Sequence, residues 1–281
     1  MDKSFWQAIQ ANDYAVPIGY SVDKLTPELL SLFGEVDPEL RDEIAFPIFE
    51  HWLEREHYTA GEMRILVGEL SRNLRLGLGE IGGDAVFLRS FSALGLAALV
   101  NYDNRQPFLE ADEVRQLAGE AAAYLKAELD LRGYVPGKGW AHAIAHTADL
   151  LAVLAKNCHL EAADFETMLN AIADRVTHSG MLVFLYDEDE RLATAARTIL
   201  LRGALPPSAL LAWLRRFTHP LGRAPWAQSF LSEYDRRAFV NTRNFLRSLY
   251  FQLIRLEHLP PPMTDFIVSL RQTLDELARG Y

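Results

Sequence analysis

Cysteine is almost absent from this chain: Cys158 is the only one in 281 residues. That excludes internal disulfides and any zinc site built from several thiolates, and it fits a reducing, cytoplasmic setting. Long apolar runs are missing as well. The longest, about Ala93 to Val100, falls far short of the ~18 residues of a membrane span, so no membrane partner is expected. Met1-Asp2-Lys3-Ser4 does not open the basic-then-apolar pattern of a secretory signal. No convincing strand-like alternation occurs. Residues 200–281 hold no lysine and 11 arginines against 6 acids, a surplus of +5, while the first 199 hold 17 basic and 32 acidic residues, −15. The total of −10 argues against generic nucleic-acid binding. The arginine-rich final third reads as a solvated face or as an attractor of phosphate or an acidic partner.

What the chain does have is helical periodicity nearly throughout, with apolar residues three and four apart. Breakers fall at 34–38, 77–83, 133–139, 180–187, 203–207, 220–225 and 260–262. Similar helices are expected to start near Asp37, Asp84, Lys138, Asp187 and Arg237, spaced by 47, 54, 49 and 50 residues. Second helices are expected at 60–74, 111–129, 162–176 and 207–217. A helix pair repeating at slightly over the ~40–47 residues of HEAT units reads as an all-α, right-handed HEAT-like solenoid of about five hairpins. It would form one domain, 1–281, with 205–281 as a distinct cap. Three starts combine an acid with a following arginine: Asp37 with Arg41, Asp84 with Arg89 and Asp187 with Arg191. Helix capping and the helix dipole explain the acids.

The third repeat departs from the others with RGYVPGKGWAHAIAHTADLL, residues 132–151. On a helical wheel started at Trp140, Ile144, Ala148, Leu151, Leu154 and Ala155 form an apolar stripe. His142, His146 and Asp149 fall at roughly 180–240°, on the far side. Histidines at i and i+4 stack one turn apart, so they can share a divalent metal, with Asp149 as third ligand or as orienter of an imidazole. They can equally bind an anion near a helix N-terminus or act in acid–base chemistry. The zincin motif fails, because Ala143 stands where its general-base Glu belongs. A P-loop fails too: three residues separate Gly133 from Gly137, and Gly139 follows Lys138. Asp187 to Glu190 could chelate a hard cation, but four acids at a helix start suit the dipole. Arg191, Thr194 and Thr198 form a second polar stripe, and Trp52 and Trp213 read as core.

The strings LRGYVPGKGWAHAIAHTADLL, DPELRDE, FLRSFSAL and YDEDERL resemble an uncharacterised bacterial family with a domain of unknown function, over roughly residues 10–215. The resemblance implies a helical, HEAT-like fold in a bacterial cytoplasm and carries no activity. The Gly-Trp-Ala-His string is also similar to one in lanthionine cyclases. Ala143 replaces their following Gly and their zinc cysteines are absent, so that activity is not carried over.

Two functions from different classes are consistent with these residues. The first is a binding module whose concave polar groove takes a protein, a peptide or a small anion. Its lining would be Arg41, Arg89, Trp140, His142, His146, Asp149, Arg191 and Arg243. The second is a hydrolase or metal-assisted enzyme with His142 or His146 as base, Asp149 as orienter and arginines on an anionic substrate. Cys158 has no obvious partner as a nucleophile. Nucleic-acid binding ranks third.

Overall fold

The computed structural model describes residues 1–223 and 225–279. Ala224, Gly280 and Tyr281, all within the expected cap at 205–281, lie outside the described residues. Those described are predominantly helical: the chain is all-α, and its only strands among them are a two-residue pair. The chain folds as two units, Met1–Glu110 with Ala127–Leu150, and Ala111–Lys126 with Leu151–Tyr281.

The first unit opens with α1 (Lys3–Ala11) and α2 (Val22–Ser31). A π-helical stretch, Glu39–Ala45, runs directly into α3 (Phe46–Glu54). Pro47 has no N–H to give to the Glu43 carbonyl, and that carbonyl accepts a hydrogen bond from the Gln10 side chain instead, at 2.7 Å. Next come α4 (Ala60–Asn73), started by a reciprocal Thr59–Glu62 capping box, and α5 (Ala85–Asp103). Both α3 and α4 pack against α5. Gly95 allows the close approach: a Cβ there would sit 3.0 Å from Leu70 and 3.1 Å from Phe33. By length and composition α5 is the one described helix apolar enough to cross a membrane, yet 72% of its apolar window is buried within the protein. It is a core helix.

After Ala127 the first unit resumes with a short hairpin, β1 (Tyr134–Val135) and β2 (Gly139–Trp140). The unit includes the start of α7 (Ala143–Leu154), as far as Leu150. This corrects one sequence expectation. No helix starts near Lys138; Pro136, Gly137 and Lys138 form the turn of an antiparallel pair in which Tyr134 faces Trp140. Gly137 and Gly139 both have positive φ, +76° and +74°, which glycine adopts without steric cost.

The second unit contains α6 (Ala111–Ala127, its last residue assigned to the first unit), α8 (Ala162–Thr177), α9 (Glu188–Leu201), α10 (Pro207–Thr218), α11 (Glu233–Ile254) and α12 (Pro261–Arg279). Here α9 packs on α11, α10 on α12, and α8 on α9, α10 and α11. Trp213 is buried against Phe217, Phe245 and Phe266 and donates to the Leu169 carbonyl at 2.7 Å. Trp52 is equally core in the first unit. The polar stripe expected on α9 is not a free surface: Thr194 donates to Gln252 of α11, whose amide donates back to the Glu190 carbonyl.

The acids at helix starts behave less uniformly than capping predicts. Asp37 accepts the Glu39 backbone N–H, whereas Asp84 and Asp187 make no side-chain cap bond. Asp84 pairs instead with Lys138 at 2.6 Å. Of the four acids at the start of α9, Glu188 is buried, with its carboxylate accepting the Tyr186 backbone N–H at 2.9 Å. Burial pushes its pKa up, and the neighbouring Asp189 and Asp187 charges add to that rise.

Candidate functional site

The sequence motif at 132–149 forms a site of another shape than a polar helix face. Trp140 belongs to β2, and His142 precedes α7 in the left-handed region, φ +51°. A wheel that starts at Trp140 therefore misplaces the histidines, because the helical rotation begins only at Ala143. His142 closes the first turn with its carbonyl, which accepts the His146 N–H at 2.9 Å, and its own N–H donates to the Arg132 carbonyl. A non-glycine residue held at positive φ is uncommon and must be fixed by its surroundings. Here those surroundings are aromatic.

Five rings run from the surface inward, all within the first unit. Tyr134 and Trp140, 47% and 38% exposed, meet edge to face at 5.1 Å. The Trp140 ring stacks on His142 at 4.4 Å and 23°. His142 meets His146 at 5.8 Å between centroids, nearly perpendicular, and His146 stands edge-on to Phe91 at 5.1 Å. Nδ1 of His146 lies 2.9 Å from the Ser90 hydroxyl on α5. Both histidines are buried, 7% and 6% exposed. The expectation that His142 and His146 project into a solvated groove is thus corrected: residues 141–148 are buried on every side, and only Asp149, half-buried, interrupts the run. No group of three or more His, Cys, Asp or Glu side chains among the described residues is arranged to hold a metal ion. His142, His146 and Asp149 form no such group of three.

Beneath the hairpin lies Arg41, from the π-helical stretch and 0% exposed. Its guanidinium donates to the carbonyls of Glu35 at 2.5 Å, Lys138 at 2.7 Å and Trp140 at 3.3 Å. It also lies 4.2 Å from the Phe87 ring centre and 5.0 Å from that of Phe91, a cation–π geometry. Nε is 2.6 Å from the Asp42 carboxylate, which also takes a backbone hydrogen bond from Trp140. Burial pulls Arg41 below its ordinary pKa and pushes Asp42 above its own, each held back by attraction to the other. The fit is tight at Gly139, where a Cβ would sit 2.6 Å from Pro38 Cβ.

Arg89, expected in the groove lining, is also fully buried. Its Nε and Nη2 grip Glu128 at 2.6 and 3.0 Å, and Nη1 donates to the Leu76 and Gly77 carbonyls. Beside it Arg132 pairs with Asp130 and donates to the Gly83 carbonyl. Arg89 fastens loops to α5 and Arg132 joins one loop to another, rather than facing a groove. Arg191 and Arg243, both half-buried, belong to the second unit. Cys158 is an exposed free thiol.

The structure stacks Trp140 on His142 and His146, although the wheel set the histidines on the side away from Trp140, and it adds Tyr134, Phe91, Ser90 and Asp42, which the sequence motif alone did not single out. The signal for the hairpin was present: Pro-Gly-Lys between Tyr-Val and Gly-Trp is turn chemistry.

The geometry defines an all-α protein carrying a rigid aromatic hairpin over a buried histidine pair. Residues 74–251 match the family described as Protein of unknown function (DUF2785), and the chain belongs to that family. The matched stretch begins later and ends later than the resemblance at 10–215, so it includes α11 as far as Phe251 and every residue of the motif but leaves Arg41 outside. No curated protein and no solved structure matches the chain.

Proposed function

We propose that this chain is a cytoplasmic binding protein of HEAT-like build whose recognition surface in the first unit is the Tyr134–Trp140 hairpin, and whose ligand is a protein or peptide. The HEAT-like reading is supported by packing within each unit. Helices two apart in sequence stack, α3 on α5 and α8 on α10 on α12. Hydrogen bonds also recur at about one repeat's separation: Arg175 of α8 donates to the Leu125 carbonyl of α6, 50 residues back, and Arg105 after α5 pairs with Glu54 of α3, 51 back.

The observation that carries the functional reading is Arg41. Burying an arginine is costly unless its donors are satisfied, and this one directs two of its bonds at the backbone of a surface hairpin. The result is a fixed pair of solvent-facing aromatic rings. Aromatic side chains bring large contact area at small entropic cost and are favoured at recognition surfaces. A small anion as ligand gains little support, since Arg41 and Arg89 are buried and engaged. The hydrolase reading gains little as well: His142 and His146 are enclosed by rings, and no three metal-ligating side chains among the described residues converge.

The test is photo-cross-linking in cells from a benzoylphenylalanine at position 134, with position 65 on α4, also exposed, as control. The expected result is a discrete cross-linked species from position 134 that disappears when Trp140→Ala is added. No species, or the same species from position 65, overturns the reading.

A further inference from the structure

We infer that the group seated on the Tyr134–Trp140 pair is a cationic side chain, lysine or arginine, on a basic segment of a partner protein. This rests on the hairpin being the recognition surface and adds the chemistry of what it recognises.

By the residues of each unit, the first holds 11 Lys and Arg against 21 Asp and Glu, a net −10, and the second holds 17 against 17. The whole net charge of the chain sits in the unit that carries the hairpin. Such a field concentrates cationic partners and repels acidic ones before contact.

An aromatic ring presents a negative face, so an edge-to-face pair exposed to solvent favours a cation over an anion within ~6 Å. The cations around the hairpin are already matched. Arg41 lies against Asp42, Lys138 is paired with Asp84, Arg132 with Asp130, and Lys3 with Asp37 and Glu39. An incoming carboxylate or phosphate would have to displace one of these acids. A lysine or arginine meets the ring pair and displaces none of these ion pairs.

The inner end of the ring stack is buried on Phe91, and the hairpin backbone is held by Arg41, so the rings need not be ordered on binding.

The experiment titrates the full chain with N-acetyl-tetralysine amide and, separately, N-acetyl-tetraglutamate amide, using calorimetry and tryptophan emission. Trp6, Trp52, Trp213 and Trp226 are buried, so quenching or shift of the exposed component reports Trp140. Saturable tetralysine binding is expected, weakened by salt and about tenfold weaker in Tyr134→Ala and in Trp140→Ala, a loss within the cation–π range. Ile65→Ala should leave it unchanged. Tetraglutamate binding that depends on Trp140 would overturn the cation inference while leaving the hairpin as recognition surface. Tetralysine binding equal in parent and hairpin variants would mean generic attraction to an acidic surface and overturn it too. So would the absence of tetralysine binding. The cross-linking result from position 134 reports separately on the hairpin reading itself.

Discussion

Arg41→Met is the perturbation that most directly probes the site. In the parent protein the guanidinium serves three carbonyls and one carboxylate in a fully buried position. Methionine fills much of the same space, so the loss is mainly electrostatic and of hydrogen bonds. Removing one partner of a buried ion pair costs about 3–5 kcal/mol, because the other charge is left without compensation. Each orphaned buried carbonyl adds a penalty of ~1–3 kcal/mol before relaxation. These costs overlap, and water reaching the loosened hairpin removes part of them, so the expected destabilisation is about 3–5 kcal/mol. For a protein of this size that is a fall in Tm of ~6–20 °C. Adding Asp42→Asn should recover part of the loss by neutralising the stranded carboxylate. The assay is urea unfolding followed by far-ultraviolet circular dichroism, with steady-state anisotropy of tryptophan emission under native conditions. The freed hairpin should lower the anisotropy of the one exposed tryptophan. A loss below ~1 kcal/mol with unchanged anisotropy would refute the reasoning, because Arg41 would then not be holding the hairpin.

Arg89→Met should also cost about 3–5 kcal/mol in urea unfolding, where a surface arginine would cost no more than ~0.5. Combining it with Glu128→Met should cost clearly less than the sum of the two single variants, with a coupling of ~1–3 kcal/mol; additive losses would mean that the pair does not act as a unit. Glu188 gives a pH dependence. Its folded pKa is raised by burial above the ordinary glutamate value, so the native state holds its proton to higher pH than the unfolded chain does. Its favourable contribution is complete below the unfolded pKa and is lost as pH rises through the folded one. Glu188→Gln, which can still accept the Tyr186 N–H, should remove that downward slope in unfolding free energy above about pH 4.5. Parallel pH profiles for the parent and Glu188→Gln would show that the buried carboxyl does not titrate in this way.

The sequence by itself determined the helices. Apolar residues at three- and four-residue spacing, punctuated by glycine and proline, fixed α4, α6, α8 and α10 to within a residue or two at each end, because periodicity and breakers are local properties of the chain. The same local logic picked out the 132–151 motif as the place where the repeat changes character. It could not determine which way that motif faces. The turn that makes Trp140 a strand residue and sets His142 at positive φ depends on Arg41, a side chain 97 residues from Lys138 and 99 from Trp140 in sequence. Arg41 and Arg89 looked like groove-lining cations, since nothing in their neighbouring residues reveals that they are buried. Their engagement comes from the carbonyls and carboxylates of other elements, Lys138, Trp140 and Glu128, brought to them only when the unit packs. A charged residue can be buried only where such partners converge, and convergence is a property of the tertiary structure.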